Sequence, residues 1–158
     1  MKKGIISILS TLTGAVAGAA AVAKVQGESI EKWKGMSDKH LSLYLMMNQW
    51  VKIKQENKSI ATYLEENGYK QVAVYGMNYV GETLLSELEN TNVKVNYAID
   101  KNADNIYSNI KVIKPDDELE PVDAVIVTPI TFFDEIEKIL SDKIDCAIIS
   151  MEDIIFEI

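Results

Sequence analysis

The sequence predicts an α/β fold in which a small, doubly wound, five-stranded parallel sheet carries helices on both faces. Three observations predict it: short apolar runs without strict alternation, amphipathic segments between those runs, and a glycine-containing turn after the first run. Apolar runs of this kind are typical of strands that are buried on both faces. Right-handed crossovers between such strands favour the order 3-2-1-4-5, preceded here by a helical N-terminal extension.

The composition limits the classes of partner. The chain has 158 residues, which is about one domain, and its 16 basic residues are all lysine against 24 acids, giving a net charge of −8. From residue 71 onward, 6 lysines stand against 18 acids. An acidic surface repels phosphate, and without arginine it has no guanidinium group to bind phosphate through two hydrogen bonds. We therefore expect no nucleic-acid partner. The single cysteine, Cys146, excludes an internal disulfide.

Residues 1–28 are expected to form a hydrophobic helix rich in Ala and Gly. Residues 4–23 carry no charge and are long enough to cross a bilayer, and Gly14 and Gly18 have the spacing that lets membrane helices approach closely. This predicts an anchor that holds a cytoplasmic domain at the inner face of the membrane, or else a packing helix. A third interpretation is export, since residues 21–23 resemble a signal-peptide cleavage site.

Residues 37–67 are expected to be a helical connector. Ser37 is the predicted N-cap, and a second short helix is predicted to start at Ser59 and to end before Gly68. The apolar face of the first helix is either a surface for a protein partner or a surface that packs on the following domain. The face is predicted to comprise Leu41, Tyr44, Leu45, Asn48 and Val51, widened by Met46, Met47, Trp50 and Ile53.

Residues 69–158 are expected to form the sheet domain, in which strands alternate with helices. In order, we predict a strand at 71–75, a helix with Val80, Leu84, Leu85 and Leu88 on one face, strands at 93–99, 110–113 and 123–127, a helix capped by Thr131, a strand at 144–149 and a short helix at 150–158.

The turn after the first strand resembles a dinucleotide fingerprint, G-x-G-x-x-G, with Asn78 in place of the middle glycine. Gly76 and Gly81 hold the outer glycine positions, and the helix that follows presents free N–H groups to an anion. Asp100 lies 19 residues after Gly81 and closes the second strand, where an acid binds a ribose hydroxyl. An acid there disfavours NADP because of its 2′-phosphate. The remaining residues expected at this cofactor-binding site are Met77, Tyr79 and Thr128.

The motif also has a purely structural interpretation. In that interpretation, Gly76 and Gly81 only shape a tight turn between strand and helix. The functional interpretation is a binding site for NAD(H) or a nucleotide sugar, and the presence of a strand before the motif, a helix after it and an acid at the right distance favours it.

Residues 70–158 resemble a Rossmann-like module found as the N-terminal, nucleotide-sugar-binding domain of bacterial sugar acyltransferases of the sialic-acid and bacillosamine type. They also resemble uncharacterised Firmicutes proteins associated with surface-polysaccharide genes. The resemblance implies a nucleotide-sugar site at Gly76, Asn78, Gly81 and Asp100, although the family usually has glycine where this chain has Met77 and Asn78. The hexapeptide repeats of the acetyl-CoA-binding half do not occur here. The resemblance is carried by residues 72–76 (VAVYG), 81–82 (GE), 97–100 (YAID) and 123–128 (DAVIVT).

The sequence places no catalytic pair. Tyr97 and Tyr107 each precede a lysine by four residues, but on or beside strands that spacing separates the two groups by about 13 Å. The lone His40 gives no support for a metal site. We therefore expect an accessory binding module, membrane-associated, linked to polysaccharide synthesis and either self-associating or bound to an enzyme. The alternatives are an NAD-dependent or nucleotide-sugar-modifying enzyme subunit completed by a partner, and a scaffold for protein interaction.

Overall fold

The computed structural model describes the backbone of residues 2–158 and the side chains of residues 24, 26, 29 and 31–158. The chain divides into two compact units, residues 1–42 and residues 43–158. The helices are α1 (Lys2–Gln55), α2 (Ile60–Glu66), α3 (Tyr79–Leu88), α4 (Phe133–Ser141) and α5 (Met151–Glu157). The strands are β1 (Gln71–Tyr75), β2 (Lys94–Ile99), β3 (Val112–Ile113), β4 (Ala124–Val127) and β5 (Ala147–Ser150).

The five strands form one sheet in the order β3-β2-β1-β4-β5, and every pair is parallel, which confirms the predicted fold class. Residues of β1 alternate between two hydrophobic clusters. Val72 and Val74 pack with residues of α2, α3, α5 and the last turns of α1, whereas Ala73 and Tyr75 pack with residues of α4. The sheet is thus covered on both faces, as the unbroken apolar run in β1 predicts.

The amino ends of β1 and β4 are fixed to each other by Asp123. Its carboxylate accepts hydrogen bonds from the amides of Lys70 and Gln71, at 2.9 and 2.7 Å. The Asp123 amide in turn donates to the Gln71 carbonyl at 2.7 Å. These bonds set the register in which Tyr75 pairs with Val127 at the opposite, carboxyl ends of the two strands.

A bulge in β2 changes which side chains face which core. Val72 pairs with Val95 and Ala73 pairs with Tyr97, so Asn96 is the extra residue. Before the bulge, Val95 packs on the α3 side of the sheet, and after it Tyr97 packs on the α4 side. In a regular strand, Val95 and Tyr97 would point to the same face of the sheet, because side chains alternate from one residue to the next.

The structure corrects the predicted connector. Helix α1 passes through Ser37, so the predicted helix start at that residue is wrong. The predicted apolar face is also wrong in part, because Leu41, Tyr44 and Val51 are more than half exposed. Among the residues of α1 whose side chains are described, those that pack in the core are Leu43, Met46, Trp50 and Ile53.

Helix α2 begins and ends where the sequence predicts. The Ser59 hydroxyl caps its first turn by accepting a hydrogen bond from the Ala61 amide at 3.1 Å. Gly68 follows the last turn with φ +83°, its amide donates to the Glu65 carbonyl, and the Tyr69 amide donates to the Leu64 carbonyl. This pair of hydrogen bonds is a Schellman motif, in which glycine adopts the left-handed backbone conformation without steric strain.

Three smaller predictions in the sheet domain need correction, and one of them is β5, which begins at Ala147 and not at residue 144. Phe132 and not Thr131 occupies the N-cap position of α4, without a capping side-chain hydrogen bond, because a short 3₁₀ turn at Ile130–Phe132 precedes the helix. Strand β3 has only two residues, Val112–Ile113, against the four predicted.

Among the residues with described side chains, no helical segment has the length and apolar character that a bilayer-spanning helix requires. The uncharged stretch at residues 4–23, on which the anchor prediction rests, and the signal-peptide alternative at residues 21–23 both lie outside those residues.

Candidate functional site

The turn between β1 and α3 requires glycine at its first position. Gly76 has φ +93°, a backbone conformation that residues with a Cβ rarely adopt. A Cβ at this position would lie 2.7 Å from the ring carbons of Pro129 and 2.8 Å from Thr128 Oγ1. The Gly76 amide donates to the Ile99 carbonyl at 2.8 Å, so the turn stays attached to β2.

Gly81 performs the packing role of the third glycine in the fingerprint. It lies in the first turn of α3, where an added Cβ would overlap the Gly76 carbonyl oxygen. That oxygen accepts a hydrogen bond from Thr128 Oγ1 at 2.7 Å. The two glycines therefore let β1, α3 and the end of β4 approach more closely than any larger residue would allow.

Asn78, which replaces the middle glycine, is the N-cap of α3. Its Oδ1 accepts hydrogen bonds from the Val80 and Gly81 amides at 2.9 and 3.2 Å. Asparagine is a favoured N-cap because its short side chain reaches these amides. Two of the amides that a phosphate would use are thus bonded to this side chain.

Asp100 faces the turn, as its spacing in the sequence predicts. One carboxylate oxygen accepts the Met77 amide hydrogen at 2.8 Å, and the other accepts the Asn102 amide hydrogen at 2.8 Å. Within the described residues, the amides of Asn78 and Tyr79 donate no hydrogen bond. The turn therefore offers an anion two amides next to a carboxylate, which is fewer than an all-glycine fingerprint offers.

Three other predicted site residues occupy different environments. Thr128 is completely buried beneath the turn, where its hydroxyl joins the end of β4 to the end of β1. Tyr79 is almost fully exposed on the first turn of α3, and the Met77 side chain is almost fully buried. The structure therefore brings Gly76, Asn78, Gly81, Asp100 and Thr128 together and directs the Tyr79 side chain to solvent.

A cleft of about 310 Å³ opens beside the turn, at the carboxyl ends of β1 and β2 and against α4. One wall is polar and the other is apolar, a combination that is common in small-molecule sites. The polar wall consists of Asp100, Lys101 and Asn102, and the apolar wall consists of Pro129, Phe132, Ile136 and Ile139, with Tyr75, Gly76 and Glu135 completing the lining.

The sequence predicts Pro129 in the lining of the crevice, but it does not indicate Tyr75 or the α4 residues of the apolar wall as parts of a site. Phe132 and Ile139 belong to the apolar residues of the helix that the sequence predicts here, yet they are 48% and 43% exposed. Helical periodicity identified them as apolar but could not show that the sheet ends before it covers them. A second cavity, of about 410 Å³, is lined by Met77, by residues of α3 and by residues 107–110.

Of the two tyrosine–lysine pairs in the sequence, only Lys101 lines the cleft, so neither pair meets there. Tyr97 is buried and donates to the Glu120 carbonyl at 2.6 Å, and burial raises the pKa of its phenol to about 12. Burial also raises the pKa of the Cys146 thiol, which keeps it in its unreactive form. No cluster of potential metal ligands occurs among the described residues.

The chain matches no protein-family model, no curated protein and no solved structure.

Proposed function

We propose that residues 43–158 form a binding module for a ribonucleotide ligand, either NAD(H) or a nucleotide sugar, without catalysis of their own. The observation that carries the proposal is the position of Asp100, at the carboxyl end of β2 and in the wall of the cleft. Each of its oxygens accepts one amide hydrogen. A carboxylate has about four acceptor positions, so about two remain for the hydroxyls of a ribose diol.

Two further features, one of the cleft and one of the turn, are complementary to the rest of the ligand. The exposed rings and methyl groups of Phe132 and Ile139 offer an apolar wall for a base. The amides of Asn78 and Tyr79, at the amino end of the ten-residue helix α3, offer donors for a phosphate. Tyr97, the buried phenol of the tyrosine–lysine pair with Lys101, bonds to the Glu120 carbonyl and does not line the cleft, which favours binding over chemistry by that pair.

A second candidate function is a scaffold for protein interaction. This function is favoured because three amides of the turn already donate hydrogen bonds to side chains of the protein. They are the amides of Met77, Val80 and Gly81. A protein of this kind would retain the turn for packing alone and would bind no nucleotide.

Thermal unfolding with a panel of NAD⁺, NADP⁺, ADP and UDP-N-acetylglucosamine separates the two candidates. A ligand at a hundredfold excess over its Kd stabilises the folded state by about 2.7 kcal/mol, which raises the melting temperature by several degrees. We expect such a rise with at least one ribonucleotide. No rise with any member of the panel would contradict the binding proposal and leave the scaffold.

The substitution Asp100→Asn tests whether the Asp100 carboxylate binds the nucleotide. The amide keeps one acceptor oxygen and loses the charge, so we expect the affinity for NAD⁺ to fall about tenfold. The preference for NAD⁺ over NADP⁺ should also narrow, because the carboxylate no longer repels the 2′-phosphate. Isothermal titration measures both.

Asp142→Asn is the matched control for this substitution. Asp142 is exposed at the C-terminal end of α4 and is absent from the lining of the cleft. Its substitution should change neither affinity nor cofactor preference. An equal loss of affinity in both variants would show that net charge, and not the ribose site, controls binding.

The proposal also places the module at the inner face of the membrane and links it to surface-polysaccharide synthesis. Support comes from the uncharged stretch at residues 4–23 and from the resemblance to nucleotide-sugar-binding domains. We expect the full chain to sediment with membranes and a chain lacking residues 1–24 to remain in the supernatant. An unchanged distribution after the deletion would contradict the attachment.

A further inference from the structure

The Tyr75 side chain ends in a hydroxyl group that has no hydrogen-bond partner among the described residues. The residue is 4% exposed, and the hydroxyl oxygen itself is buried. Most buried polar groups in proteins are hydrogen-bonded, because an unmade bond in the interior costs free energy. An orphaned phenol in the core therefore requires an explanation.

Tyr75 lines the same cleft as Asp100, and its hydroxyl oxygen lies covered behind the wall of that cleft. Tyr75 is the last residue of β1, it directly precedes Gly76, and it contributes to the lining of the cleft. Burial, followed by the negative charges of Asp100 and Asp116, raises the pKa of Tyr75 above its ordinary value. The group therefore stays protonated at neutral pH and is available as a hydrogen-bond donor.

We propose that Tyr75 and Asp100 together recognise one hydroxyl group of the ligand, an inference that rests on the proposed binding of a ribonucleotide. A hydroxyl group both donates and accepts hydrogen bonds. The ligand hydroxyl would donate a hydrogen bond to the Asp100 carboxylate, and its oxygen would accept a hydrogen bond from the Tyr75 hydroxyl. The ligand class is thereby narrowed to nucleotides with an unmodified ribose. Because the phenol oxygen is covered, the wall of the cleft must shift slightly when such a ligand binds.

The pairing explains why the phenol is retained in an otherwise apolar cluster. Phenylalanine would fill the same space among Ile99, Val127 and Ile136 without an unsatisfied hydroxyl. A group that costs stability in the free protein and forms a bond only with ligand acts as a specificity-determining residue. A site that binds a hydroxyl in this way rejects the analogue that lacks it, because its own polar groups are then left unpaired.

Tyr75→Phe tests the inference in two measurements. Without ligand, the melting temperature should stay the same or rise, because no hydrogen bond is lost. With the ribonucleotide that binds best in the panel, the Kd should increase about tenfold. With the 2′-deoxy or the 3′-deoxy form of that nucleotide, whichever lacks the recognised hydroxyl, the Kd of wild type and variant should be equal.

Tyr97→Phe is the matched control, because Tyr97 is a buried tyrosine of the same cluster whose hydroxyl has a partner, the Glu120 carbonyl. This variant should melt at a lower temperature and bind ligand with unchanged affinity. If Tyr75→Phe also lowered the melting temperature of the free protein, an internal partner such as bound water would satisfy the phenol, and the inference would be overturned.

The outcomes for the site and for Tyr75 are distinguishable. Binding of a ribonucleotide with equal affinity by wild type and Tyr75→Phe overturns the role of Tyr75 and leaves the proposed function intact. Failure of the wild-type protein to bind any nucleotide overturns both.

Discussion

Replacing Gly81 with alanine is expected to lower the free energy of unfolding by about 3 kcal/mol or more, the upper range for overpacking of a core. The new Cβ would overlap the Gly76 carbonyl oxygen, a backbone atom that cannot rotate away as a side chain can. That oxygen is held in place by the Thr128 hydroxyl at 2.7 Å. Relief of the overlap would require α3 to move away from the end of β1. Urea denaturation followed by circular dichroism measures the loss.

Gly68→Ala is the control for this substitution. Gly68 also has a positive φ, +83°, but an added Cβ there would meet nothing within 4 Å. The decrease in the free energy of unfolding of Gly68→Ala should therefore reflect backbone strain alone, about 1–2 kcal/mol. If Gly81→Ala cost no more than Gly68→Ala, the close approach between α3 and the turn would be wrong, and with it the structural role assigned to the third glycine of the motif.

The order of the strands could be predicted because the information lies in short segments of sequence. The apolar run at residues 71–75, the glycines that follow it and the acid at position 100 each have a local cause: burial, tight turning and strand termination. Once the strands are parallel and alternate with helices, few topologies remain. The strand order 3-2-1-4-5 could therefore be predicted, and the structure confirms it.

The side of α1 that packs in the core could not be predicted in the same way. The predicted face combined two apolar stripes at helical spacing, one with Tyr44 and Val51, which is exposed, and one with Met46 and Ile53, which packs in the core. Periodicity identifies an apolar stripe but cannot choose between two stripes on one helix. The choice depends on which stripe meets α2, α3 and the sheet, and those contacts are remote in sequence.

The candidate site shows the same limit. Spacing alone located Asp100 opposite the turn, because strand length and motif fix that distance. It could not show that Asp100 and Asn78 already accept hydrogen bonds from the turn amides. Nor could it show that Asn96 forms a bulge that shifts Tyr97 to the α4 side of the sheet. These features arise from pairing between segments and not from the segments themselves.

Replacing Glu87 with alanine is expected to cost about 3 kcal/mol of unfolding free energy, because one nearly buried carboxylate joins three elements. One of its oxygens accepts a hydrogen bond from Trp50 Nε1 in α1 at 2.6 Å. The other accepts the amide hydrogen of Ile60, the first residue of α2, at 3.2 Å, and lies 3.1 Å from Lys54 Nζ. The Glu87 side chain is only 8% exposed, so water does not replace these bonds well.

Glu120→Ala is the control for a carboxylate in an ion pair. Glu120 pairs with Lys111 at 2.9 Å, but both side chains are about 60% exposed. Exposed pairs contribute little, so we expect a loss of at most about 1 kcal/mol. A similar loss in both variants would contradict the view that Glu87 acts by satisfying buried donors.

Glu87→Gln, combined with Trp50→Phe in a double-mutant cycle, separates charge from hydrogen bonding. The two donors bond to different oxygens of Glu87, so a glutamine in the same position, with one acceptor oxygen, keeps the bond to only one of them. We expect an intermediate loss, about 1–2 kcal/mol, that shrinks when the indole donor is also removed. Strictly additive losses would mean that the two side chains stabilise the fold independently. Coupled losses would identify the carboxylate as the group that joins the end of α1 to α3.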